Sequence, residues 1–147
     1  MKFRKIKENK KQFLSLLLLA DEQENMIDRY LEKGTMYVLD DNGVKAECVV
    51  TDEGDGILEI KNIATVPEYQ GKGYAKALID FLVNEYAYKY SVLQVGTGDS
   101  PLTVPFYEKC GFVRSHIIPN FFTNNYDHPI FECGVKLTDM VIFQRNL

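Results

Sequence analysis

The sequence predicts an α/β fold in which strands and helices alternate along the chain. Three observations lead to this prediction: short runs of β-branched and aromatic residues, a helical pattern of apolar residues between positions 74 and 86, and glycine-marked turns between such segments. With 147 residues the chain is long enough to bury a core of its own. We therefore expect one domain over residues 1–147.

Two short helices are expected first. Leu14, Leu17 and Leu18 recur at helical spacing. The run from Asp21 to Glu24 fits a capping box that opens a second helix, and Gly34 is a typical residue for the end of that helix.

Three strands are expected next. Residues 35–40 and 44–51 are rich in strand-forming side chains, and the Asn42-Gly43 pair between them is typical of a hairpin turn. After a second turn at residues 53–56, residues 57–66 alternate as a longer strand. Pro67 ends this strand because proline lacks the N–H that a sheet needs.

The second half of the chain continues the alternation. The helix after Pro67 carries its apolar residues on one face, namely Tyr74, Leu78, Phe81, Leu82 and Tyr86. The later elements are a strand over 91–96 interrupted by Gly96 and Gly98, a short helix over 106–110 that Gly111 ends, and a final strand over 138–145. Only residues 119–129 form a long irregular segment, and such segments usually need a functional reason.

Charge and composition exclude several classes of protein. The formal net charge is -4, with acidic and basic residues mixed, so we expect no nucleic-acid partner. The apolar run near the N-terminus is too short to cross a bilayer, and it lacks the cleavage site of a signal peptide. We therefore expect a cytoplasmic protein without a membrane partner.

The cysteines and histidines predict neither disulfides nor a metal site. Three cysteines are widely spaced and form no C-x-x-C motif, and the two histidines are too far apart for one helical turn. These residues are Cys48, Cys110, Cys133, His116 and His128. We expect no bound metal.

The turn between the long strand and the long helix is a candidate phosphate site. Gly71 and Gly73 expose backbone N–H groups at a helix start, where the helix dipole also favours anions, and Lys72 adds positive charge. The spacing is neither that of a Walker loop nor that of a dinucleotide fold. On the turn alone, a purely conformational role for the glycines fits equally well.

Two segments together resemble the GNAT family of N-acetyltransferases. Residues 63–75 are similar to the acetyl-CoA signature, whose core [R/Q]-x-x-G-x-[G/A] falls here on Gln70, Gly73 and Ala75. Residues 106–112, FYEKCGF, are similar to the second signature of the family. The resemblance covers nearly the whole chain and implies the acyl-CoA N-acyltransferase fold, a mixed and mostly antiparallel sheet flanked by helices.

The resemblance also implies a cofactor site made largely of backbone. It places the CoA pyrophosphate on the turn and the pantetheine arm along the signature strand, where a backbone N–H polarises the acetyl carbonyl. The residues implied are Ile63, Ala64, Thr65, Gln70, Gly71, Lys72, Gly73, Tyr74 and Ala75. Ser100 stands where many members carry a pantetheine-binding Asn, and a helix N-cap is its alternative role.

Two catalytic candidates follow from the same resemblance. Tyr107 occupies the position of the tyrosine that protonates the leaving thiolate in many members. Pro105 would break a helix anywhere beyond its first turn, so we expect the helix that carries Tyr107 to begin at Val104. Glu59 lies eleven residues before Gln70, where a histone-acetylating branch carries its general base. The alternatives are a core aromatic residue for Tyr107 and a solvated strand carboxylate for Glu59.

The expected activity is transfer of an acetyl group from acetyl-CoA to a primary amine of a small molecule or peptide, by direct attack in a ternary complex. A CoA-binding module without catalysis and a purely structural domain are the alternatives. The resemblance places residues 119–129 beside the incoming amine, where aromatic side chains would form a wall and Asp127 and Glu132 would attract a cation. The same aromatic residues would also suit a cover for the core or a homodimer interface.

Overall fold

A computed structural model describes all 147 residues of the chain. In chain order the strands are β1 (Lys2–Ile6), β2 (Thr35–Asp40), β3 (Val44–Asp52), β4 (Ile57–Thr65), β5 (Val92–Gly98), β6 (Val113–Ile118), β7 (Phe131–Glu132), β8 (Val135–Lys136) and β9 (Met140–Asn146). The helices are α1 (Leu14–Ala20), α2 (Glu24–Ile27), α3 (Tyr74–Tyr86), α4 (Val104–Lys109) and α5 (Phe121–Asn125). Short 3-10 turns precede α1 and α3.

Seven strands form one sheet in the order β1-β2-β3-β4-β5-β9-β6, and β7 and β8 form a separate ribbon. Only β4 and β5 are parallel, and every other neighbouring pair is antiparallel. The sheet is therefore mixed and mostly antiparallel with flanking helices, which confirms the predicted fold class. No helix combines the length and apolar character needed to cross a membrane.

Each face of the sheet has its own apolar core, because side chains alternate along each strand. In β3, Cys48 and Val50 belong to the larger core, which α3 and α4 cover, while Val49 belongs to the smaller core beneath α1 and α2. The fully buried side chains include Phe112 and Phe143 in the first core and Leu17 and Ile27 in the second.

The strands β4 and β5 separate halfway along their length. Their pairing begins at Ile57 and stops at Ile60 and Val95, although β4 continues to Thr65 and β5 to Gly98. A bulge lies at this point, since Val49 pairs with Asn62 and Val50 with Ile60, leaving Lys61 as an extra residue. Bulges bend the strand that contains them. The bulge thus accompanies a wedge-shaped opening in the sheet.

The second predicted helix is much shorter than expected. It ends at Ile27, with turns continuing to Gly34, and Gln23 is its N-cap without any side-chain cap. The predicted capping box is therefore wrong. The carboxylate of Asp21 instead accepts hydrogen bonds from the hydroxyls of Tyr30 and Tyr126.

Several elements were absent from the prediction. These are β1, β6, α5 and the β7–β8 ribbon, and the first two are edge strands of the sheet. Their patterns are weak because each lacks the alternation of a strand with one buried face: all six residues of β6 are exposed. Gly96 also failed to interrupt β5, which runs on to Gly98 because β9 pairs with it along its whole length.

Candidate active site

A large cavity of about 1250 Å³ occupies the opening between β4 and β5. One wall is formed by the end of β4, the turn before α3, and α4. The second wall is formed by residues 19–33 around α2 and by residues 121–137 around α5. Of the twelve site residues predicted from the sequence, ten line this cavity, and the two that do not are Lys72 and Ser100.

The turn before α3 presents unpaired backbone donors. The N–H groups of residues 71–76 have no acceptor in the chain, and the first N–H bonded into the helix is that of Ala77, to the carbonyl of Gly73. Gly71 and Gly73 have φ angles of 79° and 87°, which strongly favour glycine. A Cβ at either position would meet no atom within 4 Å. The space above the turn is therefore open to an anionic group, which the helix dipole would also favour.

Side chains hold this turn against the sheet. Gln70 donates through Nε2 to the carbonyl of Thr65 at 3.3 Å, and the Tyr74 hydroxyl donates to Asp41 at 2.8 Å. The Lys72 ammonium lies 5.4 Å from the centre of the Tyr69 ring, outside the cavity lining. Gln70 and Tyr74 therefore fix the turn, while Lys72 contributes only its charge.

Tyr107 is buried among aromatic rings and faces the cavity. It is 6% exposed and packs against Phe106, Phe112 and Phe143. Its hydroxyl has no hydrogen-bond partner in the chain, and the residue lines the cavity. Burial, and to a lesser extent the charges of Cys110 and Glu132, raise the pKa of Tyr107 well above its ordinary value. The hydroxyl is therefore a neutral donor at pH 7.

The helix that carries Tyr107 begins at Val104, with Pro105 in its first turn. Proline is tolerated there because the first N–H groups of a helix have no intrahelical partner. The predicted start of this helix is confirmed, and Pro105 causes no break.

Glu59 lies on the cavity side of β4 and is already paired. Its carboxylate lies 2.5 Å from the Lys61 ammonium and accepts a hydrogen bond of 2.5 Å from Gln94 Nε2. Lys61 also lies 3.8 Å from Glu53. Glu59 is therefore a buried, ion-paired carboxylate at the edge of the opening, and the alternative of a solvated strand residue does not describe it.

Ser100 is buried behind the cavity wall. Its hydroxyl donates a very short hydrogen bond to Glu132 and also accepts one from the N–H of Leu102 at 3.3 Å. Thr103, not Ser100, is the N-cap residue of α4. Ser100 therefore orders the start of this segment and fixes Glu132, which does line the cavity.

Two buried polar side chains, Glu47 and Asn62, lie beneath the second wall. Glu47 is 0% exposed, and neither of its carboxyl oxygens has a partner. Burial raises the pKa of Glu47 well above its ordinary value. Asn62 donates to the carbonyl of Leu17 and to the Tyr30 hydroxyl, at 3.0 and 3.1 Å, while its own Oδ1 lacks a donor. A protonated Glu47, on the same face of the sheet, is the kind of donor that this oxygen lacks.

Contacts between residues far apart in the sequence hold the two segments of the second wall together. Asp21 accepts from Tyr126 at 2.7 Å, and His128 lies 2.7 Å from Glu22. The neighbouring carboxylate of Asp127 raises the pKa of His128, as does Glu22. Asp127 itself does not line the cavity. Its predicted role in attracting a cation therefore has no support from its position.

Sequence reasoning missed Asp21 and Tyr30 as cavity residues. Asp21 was interpreted as part of a helix cap. Its partner Tyr126 lies 105 positions away in the sequence, so no local pattern could reveal the contact. The apolar part of the segment around α5 forms a small core of its own, made of Phe122, Ile130 and Leu137.

Comparison with known proteins gives consistent results. The family model of the acetyltransferase (GNAT) domain matches residues 32–114. The chain is 34% identical over 137 residues to YvbK of Bacillus subtilis, described as an uncharacterised N-acetyltransferase, covering 91% of this chain and 88% of the relative.

Two solved structures are similar over nearly their whole length. One is a GNAT family acetyltransferase from Elizabethkingia anophelis with acetyl-CoA bound, at 32% identity and a TM-score of 0.92, covering 99% of this chain and 97% of that one. The other is an IAA acetyltransferase from Bacillus cereus, at 35% identity and a TM-score of 0.91, covering 99% of each chain.

Proposed function

The chain belongs to the GNAT family and is an N-acetyltransferase, and from this premise we propose that it transfers the acetyl group of acetyl-CoA to a primary amine of a small molecule or peptide. The amine attacks directly, in a complex that holds both substrates. The observation that carries the proposal is that a single cavity contains the unpaired N–H groups of the turn, the free edge of β4 and the Tyr107 hydroxyl.

The first wall fits acetyl-CoA. The N–H groups of Gly71 to Ala75 would bind the pyrophosphate, and the open space above Gly71 and Gly73 admits it close to the backbone. At Ile63, Ala64 and Thr65, β4 pairs with β3 on one side only, and its unpaired side, which faces β5, would pair with the pantetheine amides. When bound there, acetyl-CoA supplies a thioester whose carbonyl is open to attack by an amine.

The side chains around the opening fit the proton transfers that the reaction needs. An alkylammonium with a pKa near 10.4 must lose a proton before it attacks, and the departing thiolate must gain one. Glu59 would accept the first proton, either directly or through water, after it releases Lys61 or Gln94. Tyr107 would donate the second, because its hydroxyl is neutral and has no competing partner.

An assay of thiol release tests the proposal. The protein is incubated with acetyl-CoA and a panel of amines, and free CoA thiol is measured against a control without amine. We expect release that depends on both the amine and the protein, with intersecting lines when both substrate concentrations are varied.

Two other results would contradict the proposal. Binding of acetyl-CoA without thiol release for any amine would make the protein a CoA-binding module. Parallel lines in the initial-rate plots would replace direct attack with an acetylated protein intermediate.

A further inference from the structure

We propose that the acceptor carries a second cationic group besides the amine that is acetylated, and that Asp21 binds this cation inside the cavity. The inference rests on the proposed function, since it names the class of acceptor for the same cavity. It makes Asp21 a specificity-determining residue.

Asp21 is a partly buried carboxylate held only by neutral donors. The hydroxyls of Tyr30 and Tyr126 donate to its two oxygens, at 2.9 and 2.7 Å. No lysine, arginine or histidine lies within 4.0 Å of it. Burial raises the pKa of Asp21 despite these hydrogen bonds. A carboxylate in such a place is stabilised by a cation, and the chain does not provide one.

Three other carboxylates of the cavity lie beside cations, since Lys61 pairs with Glu59 and lies near Glu53, and His128 pairs with Glu22. Glu132, like Asp21, has only hydroxyl donors, but these belong to Ser100 and Thr103 at the start of α4, and its charge raises the pKa of the nearby Tyr107. Glu132 therefore lies close to Tyr107, whereas Asp21 is the cavity carboxylate without a cation that lies between Tyr30 and Tyr126.

The basic residues on the same wall do not neutralise Asp21. Arg29 and Lys33 line the cavity, but Arg29 donates to Asn125 at 2.9 Å and both side chains are exposed. The charge of Glu22 raises the pKa of Asp21 further, and Arg29, whose charge lowers the pKa of Tyr126, forms no ion pair with Asp21.

Aromatic rings surround the carboxylate on the cavity side. Tyr30, Phe121, Phe122 and Tyr126 all line the cavity, and the rings of Phe122 and Tyr126 stack with centres 5.8 Å apart. Ring faces attract cations and also cover methylene groups. An ammonium on a short alkyl chain therefore fits this wall better than an uncharged or anionic group does.

The bound cation must differ from the attacking amine. A carboxylate beside an ammonium stabilises its charged form and raises its pKa, which opposes the loss of the proton that attack requires. Asp21 is linked to the opening through Tyr30 and Asn62 by hydrogen bonds of 2.9 and 3.1 Å. Both bonds share the Tyr30 hydroxyl, so Asp21 lies two hydrogen bonds away from Asn62, the neighbour of Ile63 on β4. We therefore expect a short diamine to reach from Asp21 to a thioester bound along this strand.

Two amines that differ by one ammonium test this inference, namely diaminobutane and aminobutane. Their kcat/KM values are measured by thiol release at saturating acetyl-CoA, and their dissociation constants are measured by calorimetry on the CoA-loaded protein. We expect the wild type to prefer the diamine and Asp21→Asn to reduce that preference about tenfold, with the KM for acetyl-CoA unchanged.

Matched variants separate charge from structure. Glu22→Gln removes the charge of the residue next to Asp21 and should leave the preference for the diamine unchanged. Tyr126→Phe removes one hydrogen bond to Asp21 but leaves the charge of Asp21 in place, so this variant should retain most of the preference. Equal loss in Tyr126→Phe and Asp21→Asn would overturn the inference in favour of a structural role.

The inference can fail separately from the proposed function. An unchanged preference in Asp21→Asn, or a wild type that binds the two amines equally, overturns it even if every amine is acetylated. Because the wild-type comparison needs no variant, it holds even if Asp21→Asn does not fold. Conversely, if no amine releases thiol although calorimetry shows that the diamine binds through Asp21, the proposed function is contradicted, and Asp21 remains a cation site but not part of an acceptor site.

Discussion

The two walls of the cavity are built in different ways. The first wall presents backbone: a glycine turn with unpaired N–H groups and the free edge of β4. The second wall presents side chains, and its contacts join residues about a hundred positions apart, such as Asp21 with Tyr126 and Glu22 with His128. Backbone chemistry can be predicted from a short motif, whereas side-chain chemistry of this kind depends on the whole fold. The cofactor was therefore predictable from sequence, and the acceptor was not.

The largest effect is expected for Tyr107→Phe. The substitution removes a proton donor but keeps the ring that packs against Phe112 and Phe143. We expect kcat to fall about 100-fold, with little change in acetyl-CoA affinity or in thermal stability. Steady-state kinetics and calorimetry check this. An unchanged kcat would show that Tyr107 only packs in the core and donates no proton, so that the first wall would bind the cofactor without taking part in the chemistry.

The next largest effect tests the backbone nature of the first wall. Gly73→Val would place a branched side chain over the donors of the turn, at a φ of 87°. We expect CoA affinity to fall about 30-fold by calorimetry. Gly54→Val is a matched control, since Gly54 has a φ of 83° and equally open space but lies outside the cavity.

Both glycine variants should lose about 1–2 kcal/mol of stability through backbone strain, and only Gly73→Val should lose CoA affinity. Equal affinity in the two folded variants would show that the turn is purely conformational.

Glu59 lies on β4, beside the point where β4 and β5 separate. Glu59→Gln should lower kcat/KM about tenfold near neutral pH, where the amine is charged, and less at alkaline pH, where the free amine is abundant. The measurement is a pH-rate profile against the wild type. A profile of identical shape would remove Glu59 from the mechanism and leave it as the partner of Lys61.

A smaller effect concerns the buried Glu47 beneath the second wall. Because burial raises its folded-state pKa above the unfolded value near 4.5, the folded protein binds the proton more tightly. Its contribution to stability is therefore complete below that value and decreases as the pH rises towards the folded-state pKa.

Glu47→Gln keeps the size of the side chain but removes the titrating group, so it should remove this pH dependence and stabilise the protein by about 1 kcal/mol near pH 8. Denaturant unfolding at acidic and alkaline pH checks this, with the exposed Glu68→Gln as control. The same change of stability with pH in the wild type and in Glu47→Gln would show that Glu47 is not buried as a neutral acid.

The smallest effect is expected for Asp127→Asn. Its side chain is 76% exposed, is paired with His128, and does not line the cavity. We expect the KM for a cationic amine to change less than about twofold. A clearly larger increase in this KM would show that Asp127 takes part in binding the acceptor, as Asp21 is proposed to do.

The elements that the sequence predicted also differ from those that it missed in whether their signal is local. The hairpin at Asn42-Gly43, the long strand before Pro67 and the long helix after it were predicted, because each has a strong local signal. The exposed β6 and the short α5 have no such signal, since they depend on β9 and on the small core around Phe122. Asp21 was assigned to a local cap because its actual partner, Tyr126, lies in that same poorly predicted region.

Hydrogen exchange followed by mass spectrometry, with and without CoA, tests most directly whether backbone groups form the cofactor wall. Amides that bind a ligand exchange more slowly. We predict that CoA slows exchange in peptides covering residues 61–65 and 71–76, while peptides covering residues 21–29 and 119–129 change little. Protection confined to the second wall, or no protection at residues 71–76 when CoA is bound, would contradict the account.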